Sequence, residues 1–384
     1  MHRALPAIRD ELVFGDEDPR PEGTVVVKDP GAGRYFNLTV LAARTAKLLD
    51  GQRTADQVAT DLASRFGEDL SAEEVAGFVE QLKAMGLVVG SSPPRVRSPI
   101  RSVLAFQVHL LDPSRLLDWL DRRLGFLFNR AFLVVGGLAI LAAMGICLAH
   151  FGAWGLELRR GLGWQSFLTI YLPALAMMAA HELAHGLACR HLGCAVRDMG
   201  VIFYYFQPCT YCDVTDSWML PPRQRITVML AGSFFEALVW AVAVFGLVVL
   251  PAGSTAAEVA LGIVATSGIK CVFNLNPLIK LDGYYVLSDL LGLPNLRSTA
   301  FECLFDRLRG QRSSLSRAHH LACLIYAPLA LAYSAALIGW VGHWSYVVLA
   351  GRFGDPGRVA FVGLLALLGA TAWWLRRRRV SAPG

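Results

Sequence analysis

Charge is scarce in this chain. Only 17% of its 384 residues are Asp, Glu, Lys or Arg, against about 25% in ordinary soluble domains, so much of the protein is expected to lie in lipid. The charge is also uneven: residues 1–130 hold most of the acidic side chains and read as soluble, while the remainder alternates apolar runs with arginines. A net charge of +6 from arginines flanking apolar segments suits anionic lipid and gives no reason to expect a nucleic acid partner. An export signal is lacking too. Residues 1–25 are polar and rich in Pro, Asp and Glu, so insertion is expected to start from an internal segment, leaving the N-terminal part in the cytosol. Nor is there a disulfide framework. Cys147, Cys189, Cys271 and Cys323 fall in or beside apolar runs, where cysteine acts as a small hydrophobe. Cys209-Thr-Tyr-Cys212 is a single CxxC with no second pair at zinc-site spacing. It reads as ordinary thiols, with redox or accessory metal roles as the other readings.

What is present centres on Ala179-Ala180-His181-Glu182-Leu183-Ala184-His185-Gly186. Residues four apart share a helix face, so His181 and His185 can point two imidazoles at one metal ion, with Glu182 beside them in reach of a water. This is the H-E-x-x-H arrangement of zinc peptidases. It sits in an apolar run suited to a membrane span, where three ionisable groups are expensive unless they have a function. A catalytic zinc site needs a third protein ligand. Asn274-Leu-Asn-Pro277-Leu-Ile-Lys-Leu-Asp282-Gly283 is the stretch that supplies it: Asp282 follows an apolar helix that Asn274 and Pro277 break, and Gly283 allows a tight turn.

Around these stretches the chain divides into residues 1–92, a linker with an interfacial helix over 93–130, and a membrane domain over 131–379. The first part reads as a small α+β winged-helix unit: strands at 24–28 and 34–38, helices beginning near Leu41, Thr54 and Ser71, then a last strand at Leu87-Val-Val. Ser91 to Pro99 is a hinge, and Leu116, Leu117, Trp119, Leu120 and Leu124 define the apolar face of a helix lying on the membrane surface. His109, without a partner at ligand spacing, is structural. Six apolar runs follow, near 131–151, 167–189, 226–250, 257–275, 321–341 and 358–375. Arginine-rich alternate connections, ending in Arg376 to Arg379, place both termini in the cytoplasm and the protein in the inner membrane. Gly193 to Gln224 reads as a re-entrant hairpin or loop against the site, either an edge for an extended substrate or plain filler.

Two resemblances add to this. Tyr35-Phe-Asn-Leu-Thr, then Leu49-Asp-Gly-Gln-Arg-Thr, then Leu82-Lys-Ala-Met-Gly-Leu-Val resembles the PqqD-like domain. That likeness implies a holder of peptide leaders, adding the peptide as a strand; a docking or dimerisation module is the other reading. DNA binding is not expected, because the segment is acidic. His181-Glu182-x-x-His185 with Asn274-x-x-Pro277-x-x-x-x-Asp282-Gly283 is similar to the site-2-protease family of intramembrane zinc metallopeptidases. Pro208-Cys-Thr-Tyr-Cys-Asp213-Val and Lys280-Leu-Asp-Gly-Tyr-Tyr-Val-Leu-Ser-Asp point to its bacterial branch of peptide zinc metalloproteases. The resemblance implies Zn2+ held by His181, His185 and Asp282, Glu182 as general base, and Asn274 steadying the substrate carbonyl or its oxyanion. It implies a peptide or membrane-protein substrate, with a secretion or export adaptor as a fitting partner. The alternative is a non-proteolytic component of a peptide maturation or export system with a structural zinc site. One departure is Ala231-Gly-Ser-Phe-Phe-Glu236, where the family has a small-residue motif with Asn. Glu236 then either supports a ligand histidine or pairs with an arginine, while Lys280, on the same face as Asp282 if the segment is extended, is expected to neutralise the site when metal is absent.

Overall fold

The computed structural model describes residues 4–17, 23–31, 34–91, 105–161, 166–204, 207–311, 315–359 and 361–363. All of the hinge expected at Ser91 to Pro99 except Ser91 itself, most of the apolar run 358–375 and Arg376 to Arg379 lie outside the described residues. The chain forms two compact units, residues 1–294 and 295–384.

The first unit opens with an antiparallel sheet of β1 (Val13–Phe14), β2 (Thr24–Asp29) and β3 (Arg34–Thr39), in that order. Three helices follow, α1 (Val40–Leu48), α2 (Ala55–Phe66) and α3 (Ala72–Met85). Thr54 and Ser71 each close a capping box, with Gln57 and Glu74 returning the bond, and Gly67 and Gly86 end the helices in the left-handed region. Val25, Val27, Val58, Leu62, Val75, Val79 and Leu82 form the core these elements share. The strand expected at Leu87-Val-Val is only a single bridge, Ile8 to Val88: Gly86 turns the chain and Gly90 turns it again before a ladder can extend.

A second sheet, order β4-β5-β6, joins β4 (Ala105–Leu111) to the hairpin β5 (Met199–Tyr204) and β6 (Gln207–Cys212). The re-entrant segment expected at Gly193 to Gln224 is thus a hairpin, and β4 lends it a third strand from far upstream. His109 is held here: its Nδ1 lies 2.7 Å from Asp198 Oδ2 and 3.0 Å from the Tyr211 hydroxyl. Helix α4 (Ser114–Leu124) is the amphipathic helix. Its Leu117 is fully buried against the segment carrying Leu187, Cys189 and Val196, while Leu116 and Trp119 stay exposed.

The long helices are α5 (Arg130–Gly161), α6 (Ser166–His191), α7 (Pro222–Val249) and α8 (Thr255–Asn274), followed by the short α9 (Asp282–Leu291). In the second unit α10 (Leu296–Leu308) packs on α11 (Arg317–Phe353), with Arg297 donating to Ser334 Oγ at 3.1 Å. Four helices among the described residues are long and apolar enough to cross a membrane: Arg130–Leu158, Pro222–Val249, Thr255–Asn274 and Arg317–Phe353. By that measure this is a membrane protein. The run expected to span at 167–189 does form a continuous helix, α6, but it carries His181, Glu182 and His185 and is not one of the four.

Candidate metal centre

Four helices, α6 to α9, bring the site together. On α6 the i, i+4 spacing sets the imidazoles of His181 and His185 on one face, ring centroids 4.7 Å apart. Asp282 is the first residue of α9. Its Oδ2 lies 3.3 Å from His181 Nε2 and 3.4 Å from His185 Nε2, and the two Nε2 atoms are 3.1 Å apart. Donors ~2.0–2.1 Å from a tetrahedral ion lie about 3.3 Å from one another, so this triangle has the size that a first-row metal ion requires. These three residues are the group of potential ligands found among the described residues.

The hydrogen bonds behind the ligands set their chemistry. His185 Nδ1 is 2.7 Å from the Val228 carbonyl, which can only accept, so Nδ1 carries the proton and Nε2 a lone pair. His181 Nδ1 meets Glu236 Oε2 at 3.0 Å, and the same assignment follows because a carboxylate accepts. The two Nε2 atoms and the Asp282 oxygen therefore face one another at contact distance, an arrangement that a bound cation or protons on the imidazoles would satisfy. The donor set fits a metal ion, and N and O donors of this kind suit zinc.

Packing makes room for it. A Cβ on Gly232 of α7 would lie 2.4 Å from His185 Nε2 and 2.7 Å from His181 Nε2, so only glycine lets α7 pass this close. Ser233, next along, donates to Asp282 Oδ2 at 3.3 Å. Gly283 is needed for a different reason from the tight turn expected of it. It lies inside α9, and a Cβ there would meet the Leu275 carbonyl oxygen at 2.2 Å, so it is the close approach of the α8–α9 connection that requires glycine.

The remaining expected residues separate clearly. Asn274 ends α8 with Nδ2 3.2 Å from His181 Nε2, beside the triad. Glu182 lines, with His185 and Asp282, a cavity of about 260 Å³ whose rim includes Asp213, Thr215, Trp218 and Tyr285. Glu236 pairs with His181 and with Lys270 Nζ at 3.2 Å, not with an arginine. Lys280 does not serve Asp282: its ammonium lies over the Tyr284 ring, 5.8 Å from the centroid. The extended segment that would align residues 280 and 282 is absent, since Asp282 already begins a helix. Cys209 and Cys212 are free thiols on β6, and burial pushes the Cys212 thiol up to about 12. Lys270, Gly232 and Ser233 are what motif reading leaves out. Lys270 had a signal, a lysine inside the apolar run 257–275, which marks a site by the same rule as Glu236.

The site is also tied to the first sheet. Asp216, in the turn Thr215–Met219, accepts from Lys28 Nζ, from the Tyr35 hydroxyl at 2.9 Å and from the Ala195 amide at 3.0 Å. Burial raises the Asp216 carboxyl, but Lys28, Ala195 and Tyr35 outweigh it and hold it below the usual carboxylate range. Val26, on the sheet face away from the core formed by Val25 and Val27, is buried all the same, and lines a small cavity with Trp218 and Met219. Trp218 lines the metal-site cavity as well, so one turn borders both.

Fold and site thus define a membrane protein with a possible metal-binding triad of His181, His185 and Asp282. Residues 24–88 match the family described as coenzyme PQQ synthesis protein D (PqqD), which makes this stretch a PqqD-like domain. No curated protein and no solved structure matches the chain.

Proposed function

We propose that this protein is a zinc metalloprotease of the site-2-protease type, hydrolysing a peptide bond of a membrane-associated or leader-bearing peptide. The observation that carries the reading is the triangle of His181 Nε2, His185 Nε2 and Asp282 Oδ2, 3.1–3.4 Å on each side, with Glu182 in the same cavity. Zinc held there supplies a Lewis acid that polarises a carbonyl and acidifies water. The chain's own residues do the rest. A Glu182 carboxylate oxygen takes the proton of the attacking water and returns it to the leaving amine. Asn274 Nδ2, 3.2 Å from His181 Nε2, is the donor assigned in this reading to steady the substrate carbonyl. A peptide reaching this cavity must be extended, because a helix hides its carbonyls. Among the described residues β6 pairs with β5 alone, and Cys212 at its end lines the cavity, so a strand added along its outer edge would lead to the site. The PqqD-like domain fits delivery from the cytosol, since that likeness implies a holder of peptide leaders and β3, among the described residues, pairs with β2 alone.

The test is Glu182→Gln in the full chain, with the membrane peptidome of cells compared between the two forms. The expected result is retained zinc with processing reduced about 10²–10⁴-fold. Full biological output from the Gln variant would sink the protease reading in favour of a non-proteolytic component of peptide maturation or export.

A further inference from the structure

Two charged residues in the heart of the helix bundle have no part in ligation or proton transfer. Glu236 on α7 is only 1% exposed, far deeper than a carboxylate sits without a task. Its Oε2 is shared between His181 Nδ1 at 3.0 Å and Lys270 Nζ at 3.2 Å, and Oε1 has no hydrogen-bond partner among the described residues. The Lys270 ammonium is itself buried, in ion-pair contact with Oε2 but without hydrogen-bond alignment. Lys270 and Asn274 are four apart on α8, so one helix face grips His181 from two sides. Lys270 reaches Nδ1 through Glu236, and Asn274 meets Nε2 directly.

We propose that Glu236 and Lys270 form a positioning pair for the metal centre. Glu236 fixes the ring of His181 with Nδ1 protonated, which commits the Nε2 lone pair to the ion and raises its donor strength. The other ligand is treated differently: His185 Nδ1 donates to the neutral carbonyl of Val228, at 2.7 Å. His181 is therefore the stronger donor of the two and the one whose loss of support weakens the ion most. Lys270 balances the supporting carboxylate. With a doubly charged ion in place, the ionised carboxylates of Glu182, Glu236 and Asp282 and the ammonium of Lys270 sum to zero around the centre, with Glu236 and the Lys270 ammonium the buried members. Without Lys270 a net charge remains where lipid cannot solvate it. Replacing both members removes the imbalance together with the support. The pair's two single losses are thus expected to be coupled.

The inference rests on the metal-triad reading and not on peptide hydrolysis, so its test uses the metal alone. Zinc affinity is measured on the purified full chain by competition with a chromophoric chelator, and the visible spectrum of the cobalt(II) form is recorded alongside. Glu236→Gln and Lys270→Met are each expected to weaken zinc 10–100-fold and to alter the cobalt bands. Lys270→Arg is expected to restore affinity to within about threefold, because the charge is kept. The double variant is expected to lose less than the product of the single losses. A role in packing alone would lower the unfolding temperature while leaving the cobalt spectrum intact. Unchanged affinity and spectrum in a folded Glu236→Gln chain, or equal affinities for Lys270→Met and Lys270→Arg, would overturn the proposal. Should Glu236→Gln not fold, the two Lys270 variants decide the matter between them. Zinc that binds normally in all variants while cleavage fails counts against the pair and leaves the protease reading standing.

Discussion

In the PqqD-like domain each helix carries its own start and stop, whereas the metal centre draws its donors from helices that meet only after the chain has folded. Ser71 caps α3 through Glu74, three residues on, and Gly86 ends it. His181 meets Asn274 and Asp282 only because α7 lies close enough to α6, at Gly232, for the connection after α8 to reach the imidazoles. The energetics differ accordingly. The domain is stabilised by many small local terms, each about 1 kcal/mol. The centre depends on a few close approaches in which one added methyl group is intolerable. Damage to the domain should therefore be graded, and damage to the centre abrupt.

The largest effect is expected at Gly232. Substitution by Val puts side-chain carbon where the Nε2 atoms of His181 and His185 lie. Zinc content of the purified Gly232→Val chain should fall to background while circular dichroism still reports a helical protein. A normal zinc content would mean that helix packing does not set the site. The next effect lies where the two regions meet. Asp216→Asn removes the charge that Lys28 and Tyr35 engage and should lower stability by about 1–2 kcal/mol after allowance for solvent screening. The sign of its pH dependence follows from a carboxyl held below its ordinary ~3.9. That stabilisation is complete above about pH 4 and is lost as pH falls through the folded value. Thermal unfolding of the wild type between about pH 6 and 3 should weaken at the acid end more than that of Asp216→Asn; parallel curves would remove Asp216 from the junction. The smallest effect belongs to the domain's own signals. Ser71→Ala should cost about 1 kcal/mol in thermal or urea unfolding of the full chain, with zinc content untouched. A loss of zinc there would mean the two regions are not separable.

The same contrast explains what sequence alone could reach. The helices of the PqqD-like domain were legible because capping residues and apolar spacing act within a turn or two. His181, Glu182 and His185 were legible for the same reason, being one helical turn, and Asn274 and Asp282 because a broken apolar helix followed by Asp-Gly stands out. The shared strand set of β4 with β5 and β6 was not, since pairing Phe106 with Phe203 depends on distant backbone that no local pattern encodes. Lys280 stands out in the sequence by its closeness along the chain to Asp282, while Lys270 lies in no motif. Helix α9 starts at Asp282 and sends Lys280 to Tyr284, while one face of α8 brings Lys270 to Glu236. Gly232 looked like one small residue among several, and its necessity appears only when both imidazoles are seen against it.

The account stands on one ion held jointly by His181, His185 and Asp282, and metal content of the purified full chain tests that most directly. The wild type should carry about one zinc per chain, and Asp282→Ala, which removes the only donor not contributed by α6, should carry almost none after dialysis. A full complement of zinc in Asp282→Ala would contradict it.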